Sequence, residues 1–384
     1  MNVRYAEESD LPAVARFNER LRAGGRTDEM LLEPELPGER KYRPAGFPIA
    51  RRMLIAEDGQ EVRAAMLLCR HNLYLDGERR EFSWTKLPIS EGIIDKKYAL
   101  AIVRVMKKAL DDNPFLMGIG GGTPDSDGFQ FFVKLKWKHR PIPFFFYPVR
   151  PGRVMRELRY FDRSRVLKLG AMAAASVGIG AVAGGLLALQ RTAWPLMVRQ
   201  LAAYQSEVVE SFETWADKLF HENLHAYKLV IRSDATSLNI GYPPDDHRYT
   251  RIRVRHGKGG RDAGRDAGRD AGWIVVASKQ MVDNHYFGNL RVGTLVDGFG
   301  APQDVPALVF AGIRHLARSG VDIVVANFSH QTWRRACRVS GMLPGPSNFN
   351  IFVSPNGGEI LEDACPLEQM HLARGHSDGM DNLI

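Results

Sequence analysis

Residues 53–90 read MLIAEDGQEVRAAMLLCRHNLYLDGERREFSWTKLPIS. Two Asp-Gly pairs, Asp58-Gly59 and Asp76-Gly77, cut this run into three apolar-rich segments. Asp-Gly suits a tight hairpin because the central positions of such turns need φ > 0, so a three-strand antiparallel meander is expected here. On either side the hydrophobic period changes. Upstream, NVRYAEES predicts a short strand, and Asp10 opens a helix in which Leu11, Val14, Phe17 or Asn18, and Leu21 recur at helical spacing. Downstream, in YALAIVRVMKKAL, Ala99, Ile102, Val103, Met106, Ala109 and Leu110 fall on one helical face, with Arg104, Lys107 and Lys108 on the other. FLMGIGGG, GFQFFVKLKWK and IPFFFYPV then predict strand, helix and strand to finish the unit.

A second copy of this order lies toward the C-terminus. YTRIRVRH alternates Arg251, Arg253 and Arg255 with Ile252, Val254 and His256, which predicts a strand with one basic face. WIVVASKQMV and NLRVGTLVDGF continue the sheet. PQDVPALVFAGIRHLARSG is a helix opened by Asp304 and closed by Gly320. VDIVVANF is a buried strand, SHQTWRRACRVSG a helix capped by Ser329, and NFNIFVSP the closing strand. Between the copy's strands, residues 260–272 repeat GRDA; alternating Arg and Asp among Gly cannot form a core, so a flexible hairpin loop is expected.

At 384 residues the chain is too long for one ordinary core. The expected division is a first domain over 1–155, a basic and apolar helical linker over 156–222, and a second domain over 223–384. The net charge of +8 favours anionic company. Three scattered cysteines, Cys69, Cys337 and Cys365, point to a reducing compartment without a disulfide frame. The N-terminal MNVRYAEESD has no apolar signal core, so a cytoplasmic location is expected. The eleven histidines show no metal-ligand spacing, and no metal is expected. Nucleic-acid binding finds a candidate only in the Arg251–Arg255 strand and is not expected.

The repeated order, with VRYAEESDLPAVARFNERL at its head and FFVKLKWK near its end, resembles the GNAT-type N-acyltransferase superfamily. The resemblance implies an α/β protein of mixed sheets in two GNAT-like domains. LPISEGIIDKKYA, RSDATSLNIGYP and HSDGMDNLI narrow it to a subgroup associated with bacterial surface-polysaccharide gene clusters. What it implies is transfer of an acyl group from acetyl-CoA or another acyl-CoA to an amine or hydroxyl, on a surface-polysaccharide precursor. Two alternatives stand beside this reading: a Fem-like aminoacyl or peptidyl transferase, and a catalytically silent scaffold that binds glycan precursors.

By the same resemblance, SEGIIDKKYALA holds the place of the pyrophosphate loop of the first copy, without the loop's glycine, and VDGFGAPQDVPA that of the second. Lys96, Lys97 and Ala99, followed by Ala101, are the cofactor-binding candidates of the first; Gly298 and Gly300 are those of the second. Glu91, at a strand exit, is a candidate general base, with the alternatives that it orients the acceptor or that Ser90, Glu91 and Asp95 merely satisfy backbone groups. Tyr98 is a candidate proton donor to the departing thiolate, or a packing residue. His330 is a candidate acid or base at a strand-to-helix junction, or a solvated first-turn residue. Asp234, Tyr242, Asp297 and Asn327 are the substrate-binding candidates. RSDATSLNIGYP keeps Arg232, Asp234, Leu238 and Tyr242, with Ile240 and Gly241 where the subgroup usually has Trp-Arg.

The 21 residues from Leu169 to Leu189 carry no charge, and residues 150–168 before them carry seven Arg and Lys against two acids. Three fates are open: a helix lying in the inner leaflet beside anionic headgroups, a buried packing helix along the small residues Ser176, Gly180 and Gly184, or a full span.

Overall fold

The computed structural model describes residues 1–25, 32, 43–158, 201, 203–257 and 268–376. The apolar stretch 169–189 and most of the GRDA loop lie outside the described residues. The first half of the chain gives β1 (Asn2–Tyr5), α1 (Leu11–Ala23), β2 (Ala50–Asp58), β3 (Glu61–Leu75), β4 (Glu78–Ser90), α2 (Ala101–Asp112), β5 (Leu116–Gly121), α3 (Asp127–Lys134), β6 (Lys138–Pro141), β7 (Phe144–Pro148) and α4 (Pro151–Glu157). The second half gives β8 (Tyr204–Val209), α5 (Thr214–Asn223), β9 (Leu229–Ile231), α6 (Ala235–Gly241), β10 (Tyr249–His256), β11 (Asp270–Gln280), β12 (Arg291–Gly300) and α7 (Val305–Arg318). It closes with β13 (Ile323–Asn327), α8 (Gln331–Val339), β14 (Leu343–Gly345), β15 (Phe349–Val353) and β16 (Met370–His371).

The meander forms as its Asp-Gly turns predict. Asp76 and Gly77 both take positive φ, 51° and 81°, and β2, β3 and β4 pair antiparallel. Alternation then sorts the two faces. Leu54, Ala56, Met66 and Leu68 pack on Ile102, Val105 and Met106 of α2. Met53, Ile55, Ala65 and Leu67 pack on Val14, Phe17 and Leu21 of α1. Each buried Leu, Ile, Val, Phe or Met side chain among them contributes about 1.5–3 kcal/mol against exposure.

Two mixed sheets result. The first runs β1-β2-β3-β4-β5-β15-β6, with β9 paired to β3 and β16 to β9; the second runs β14-β7-β13-β12-β11-β10-β8. The closing strands are exchanged. β7, from the first half, lies between β13 and β14, and β15, from the second half, lies between β5 and β6. Both are short apolar runs expected to finish their own unit; instead each finishes the other, with Ile351, Phe352 and Val353 of β15 fully buried.

Some boundaries move for local reasons. The helix expected to begin at Tyr98 begins at Ala101, because Asp95 caps a separate 3₁₀ turn at Lys96–Tyr98. Ser329, expected to cap α8, donates to Met370 O and accepts from Leu372 N, so His330 is the cap. The arginines of β10 do not make a free basic face: Arg251 is buried on the carbonyls of Tyr242 and Tyr249, Arg253 pairs with Asp270, and Arg255 with Glu207.

Candidate active site

Both sheets part at their parallel central pair. β4 and β5 are joined only at Ser83/Leu116 and Trp84/Met117, although β4 runs on to Ser90 and β5 to Gly121. β12 and β13 are joined from Val292/Ile323 to Leu295/Ala326, although β12 runs on to Gly300. Each leading strand bulges just past the separation. In β4 the pairing with β3 jumps from Lys86 to Ile89, and Leu87 takes φ 46°, a left-handed backbone uncommon outside glycine. In β12 the pairing with β11 skips Val296. A bulge of this kind takes backbone amides out of the ladder.

In the second unit the chain's own tail occupies the gap. Ala373 bridges Phe328, Ser329 N donates to Leu372 O at 3.0 Å, and Gly375 N donates to Val296 O at 2.6 Å. Only glycine fits at 375, since a Cβ there would stand 2.3 Å from the Tyr242 hydroxyl oxygen. The tail continues to His376, whose ring stacks on Trp84 with centroids 6.0 Å apart and planes 19° apart. Trp84 is the last residue of β4 paired with β5, so the tail that closes the second gap brings an imidazole over the first.

A cavity of about 90 Å³ lies at this meeting point. Its floor is the α1 face of the first sheet, with Arg51, Cys69, Trp84 and Lys86; its walls come from α6, Asp297 and the tail. Asp297 is 3% exposed. Its Oδ2 accepts from the Tyr242 hydroxyl at 2.9 Å and faces His376 Nε2 at 3.6 Å, and its Oδ1 accepts from Gly298 N at 2.8 Å. Burial pushes this carboxyl up, but the imidazoles of His376 and His371 and the Tyr242 hydroxyl outweigh burial and hold it below the usual carboxylate range. His376 Nδ1 accepts from Ala373 N at 3.2 Å, which leaves Nε2 as the side that presents its proton to Asp297 in the neutral ring. Burial lowers three histidines: His71 and His330 are pushed down to about 4 and His371, edge-on to Tyr227 and Trp333, to about 3.

Of the residues singled out in the sequence, Tyr242 and Asp297 come together in this cavity. Glu91 does not reach it. Its buried carboxylate is clamped by Arg20 at 2.8 Å and Arg63 at 2.7 Å, so it is committed to an ion-pair cluster, while Ser90 and Asp95 satisfy backbone N–H groups as local caps. Tyr98 packs under the Arg63 guanidinium, 4.4 Å away. Lys96, Lys97 and Ala99 are exposed immediately before α2, whose first turn no side chain caps. Gly298 and Gly300 lie within β12, not in a turn; a Cβ on Gly298 would stand 2.6 Å from Trp333 and one on Gly300 2.5 Å from Ala271 O, so both serve close packing. Asn327 ties strands together, donating to Pro143 O and accepting from Arg374. His330 caps α8 through Nδ1 and packs on Tyr227. Asp234 caps α6 and pairs with Arg232. His376 was missed: it stands in a Gly- and Asp-rich tail whose local sequence gives no sign of its partners, Trp84 and Asp297. Among the described residues no group of three His, Cys, Asp or Glu could hold a metal ion, and no helix is long and apolar enough to cross a membrane.

No protein-family model matches the sequence, and neither does any curated protein sequence. Solved structures do resemble it. Saccharomyces cerevisiae N-myristoyltransferase with bound myristoyl-CoA aligns with a TM-score of 0.51 and 9% identity, over 96% of this chain and 88% of that one. A probable N-acyltransferase from Enterococcus faecalis V583 aligns with a TM-score of 0.46 and 8% identity, over 91% of this chain and 71% of that one. The fold of this chain is accordingly a mixed α/β fold of two GNAT-like domains.

Proposed function

We propose that this protein is an acyltransferase that takes its donor, an acyl-CoA, in the gap of the first sheet and passes the acyl group to an amine or hydroxyl held in the cavity between the units. The observation that carries the reading is the placement of His376 over Trp84, with Asp297 beside His376, at the point where β4 and β5 separate. A thioester drawn through that gap meets the cavity there. The fit to the rest of the donor is chemical: the uncapped N-terminus of α2, beside the exposed Lys96 and beside Lys97, which is paired with Asp95 at 2.8 Å, offers N–H groups and positive charge to a pyrophosphate. The likeness to a fold seen with myristoyl-CoA bound supports the same donor class.

In this reading the acceptor nitrogen or oxygen forms a bond to the thioester carbon, the C–S bond breaks, and the CoA thiolate departs. Asp297, held ionised by the Tyr242 hydroxyl and His376, accepts a hydrogen bond from the acceptor's N–H or O–H and orients it, and the proton goes to the departing thiolate to give CoA thiol. Amides freed by the Leu87–Pro88 bulge face the developing oxyanion; Pro88 has no N–H, so the donors come from its neighbours. An amino sugar of a surface-polysaccharide precursor falls within this acceptor class, and the resemblance carried by LPISEGIIDKKYA and RSDATSLNIGYP supports it. Peripheral attachment to a membrane rests on residues 150–189, of which Arg150 and Arg153 are engaged with Asp322.

Release of CoA thiol from acetyl-CoA and longer acyl-CoAs, followed with a panel of amines and alcohols, tests the proposal. Asp297→Asn is expected to lower kcat by about 10²-fold or more. Turnover close to wild type in that variant, or no release from any donor, would overturn it.

A further inference from the structure

One part of the cavity lining is not used by the chemistry above. Ser237, on α6, is 4% exposed, lines the cavity, and its Oγ is buried without a hydrogen-bond partner. A hydroxyl taken out of water with no partner is costly, and at the wall of a cavity it points to a ligand that supplies one. Beside it in the chain, Arg232 also lines the cavity. Its Nε is spent on Asp234 and its plane rests 4.7 Å from the Phe47 ring, which fixes the guanidinium. Its two terminal nitrogens make no hydrogen bond among the described residues. Arg51 and Lys86 add positive charge on the strand floor of the same space.

A guanidinium with two donors held in one plane matches a carboxylate or a phosphate oxygen pair, and a serine hydroxyl completes such a contact. The cavity's volume, about 90 Å³, admits a head group of only a few atoms, so a group on Arg232 and a nucleophile facing Asp297 belong to one compact ligand end. We propose that the acceptor carries an anionic group, carboxylate or phosphate, within a few bonds of the amine or hydroxyl that is acylated, and that Arg232 and Ser237 receive it. This inference rests on the acyltransferase reading for its consequence, but the binding itself does not.

The test compares ligands that differ only in the anion. Glycine against glycinamide probes the carboxylate, and O-phosphoethanolamine against ethanolamine probes the phosphate, each titrated calorimetrically into the full-length protein and each assayed as acceptor. The anionic member of at least one pair is expected to bind ten-fold tighter or more and to show a kcat/KM higher by a similar factor; the pair that discriminates names the anion. Arg232→Gln is expected to bring that ratio close to one, Arg232→Lys to restore part of it, and Ser237→Ala to reduce it several-fold. Equal binding within both pairs, or a preference that survives Arg232→Gln, overturns the inference. Binding that discriminates without any CoA release would instead overturn the acyltransferase reading and leave the anion site standing.

Discussion

The two GNAT-like units share a ladder, a bulge and a parting of the central strands, yet the gaps differ in what they admit. In the first, β4 and β5 separate beside a helix whose N-terminus is uncapped and flanked by Lys96 and Lys97. In the second, Leu372–Gly375 lies between β12 and β13, hydrogen-bonded where a donor's arm would have to lie. The head of α7 there carries a buried acid, Asp304, that already receives the Tyr204 hydroxyl at 2.7 Å and faces His256 and Arg269. A pyrophosphate brought to that helix would meet a carboxylate. In the proposed division of labour the first unit offers the donor gap, and the second is the support that delivers Asp297, Tyr242 and His376 to it.

The largest expected effect concerns the exchange of closing strands. Residues 1–158 alone lack β15, which separates β5 from β6, and the remainder lacks β7. Neither half expressed separately is expected to give a cooperative thermal transition, whereas co-expression restores one. A well-folded first half on its own would show that the units are independent. Next in size is acid lability of the plugged gap. His330 and His371 titrate near 4 and 3 when folded but near 6.5 when unfolded, so the unfolded chain binds more protons and stability falls as pH drops from about 6.5 toward 4. Each group contributes about 1.4 kcal/mol per pH unit in that window. Urea unfolding at pH 7, 6 and 5 reads this, and His371→Gln is expected to remove one group's share of the slope; an unaltered slope would deny its burial as a neutral ring. The smallest effect is at the donor loop. Lys96→Gln with Lys97→Gln is expected to weaken acyl-CoA binding by several-fold, less so at high salt because both side chains are exposed. A loss independent of salt would point to another phosphate seat.

Much of the architecture was written in local pattern. The Asp-Gly turns and the 3.6-residue spacing of Val14, Phe17 and Leu21 gave the meander and its covering helix. Asp297 was legible as a polar residue at a strand exit, and Tyr242 as part of the segment RSDATSLNIGYP that carries the resemblance. The strand exchange was not legible, because an apolar run such as FFFY says strand without saying which sheet. β8 was missed because it is an edge strand with mostly exposed, polar side chains. Glu91 looked available because its partners, Arg20 and Arg63, come from α1 and β3, which sequence spacing does not bring together. His376 acquires meaning only through Trp84, nearly three hundred positions away in the chain and beside it in the fold.

The division of labour between the gaps is tested most directly by labelling the protein with a photoreactive acyl-CoA and mapping the adducts by mass spectrometry. The account predicts adducts on β4, β5 and the Glu91–Leu100 loop, with Asp297 and His376 the labelled residues of the second unit and none on β13, Gly298–Gly300 or Leu372–Gly375. Labelling concentrated on Gly298–Gly300 and the head of α7 would contradict it.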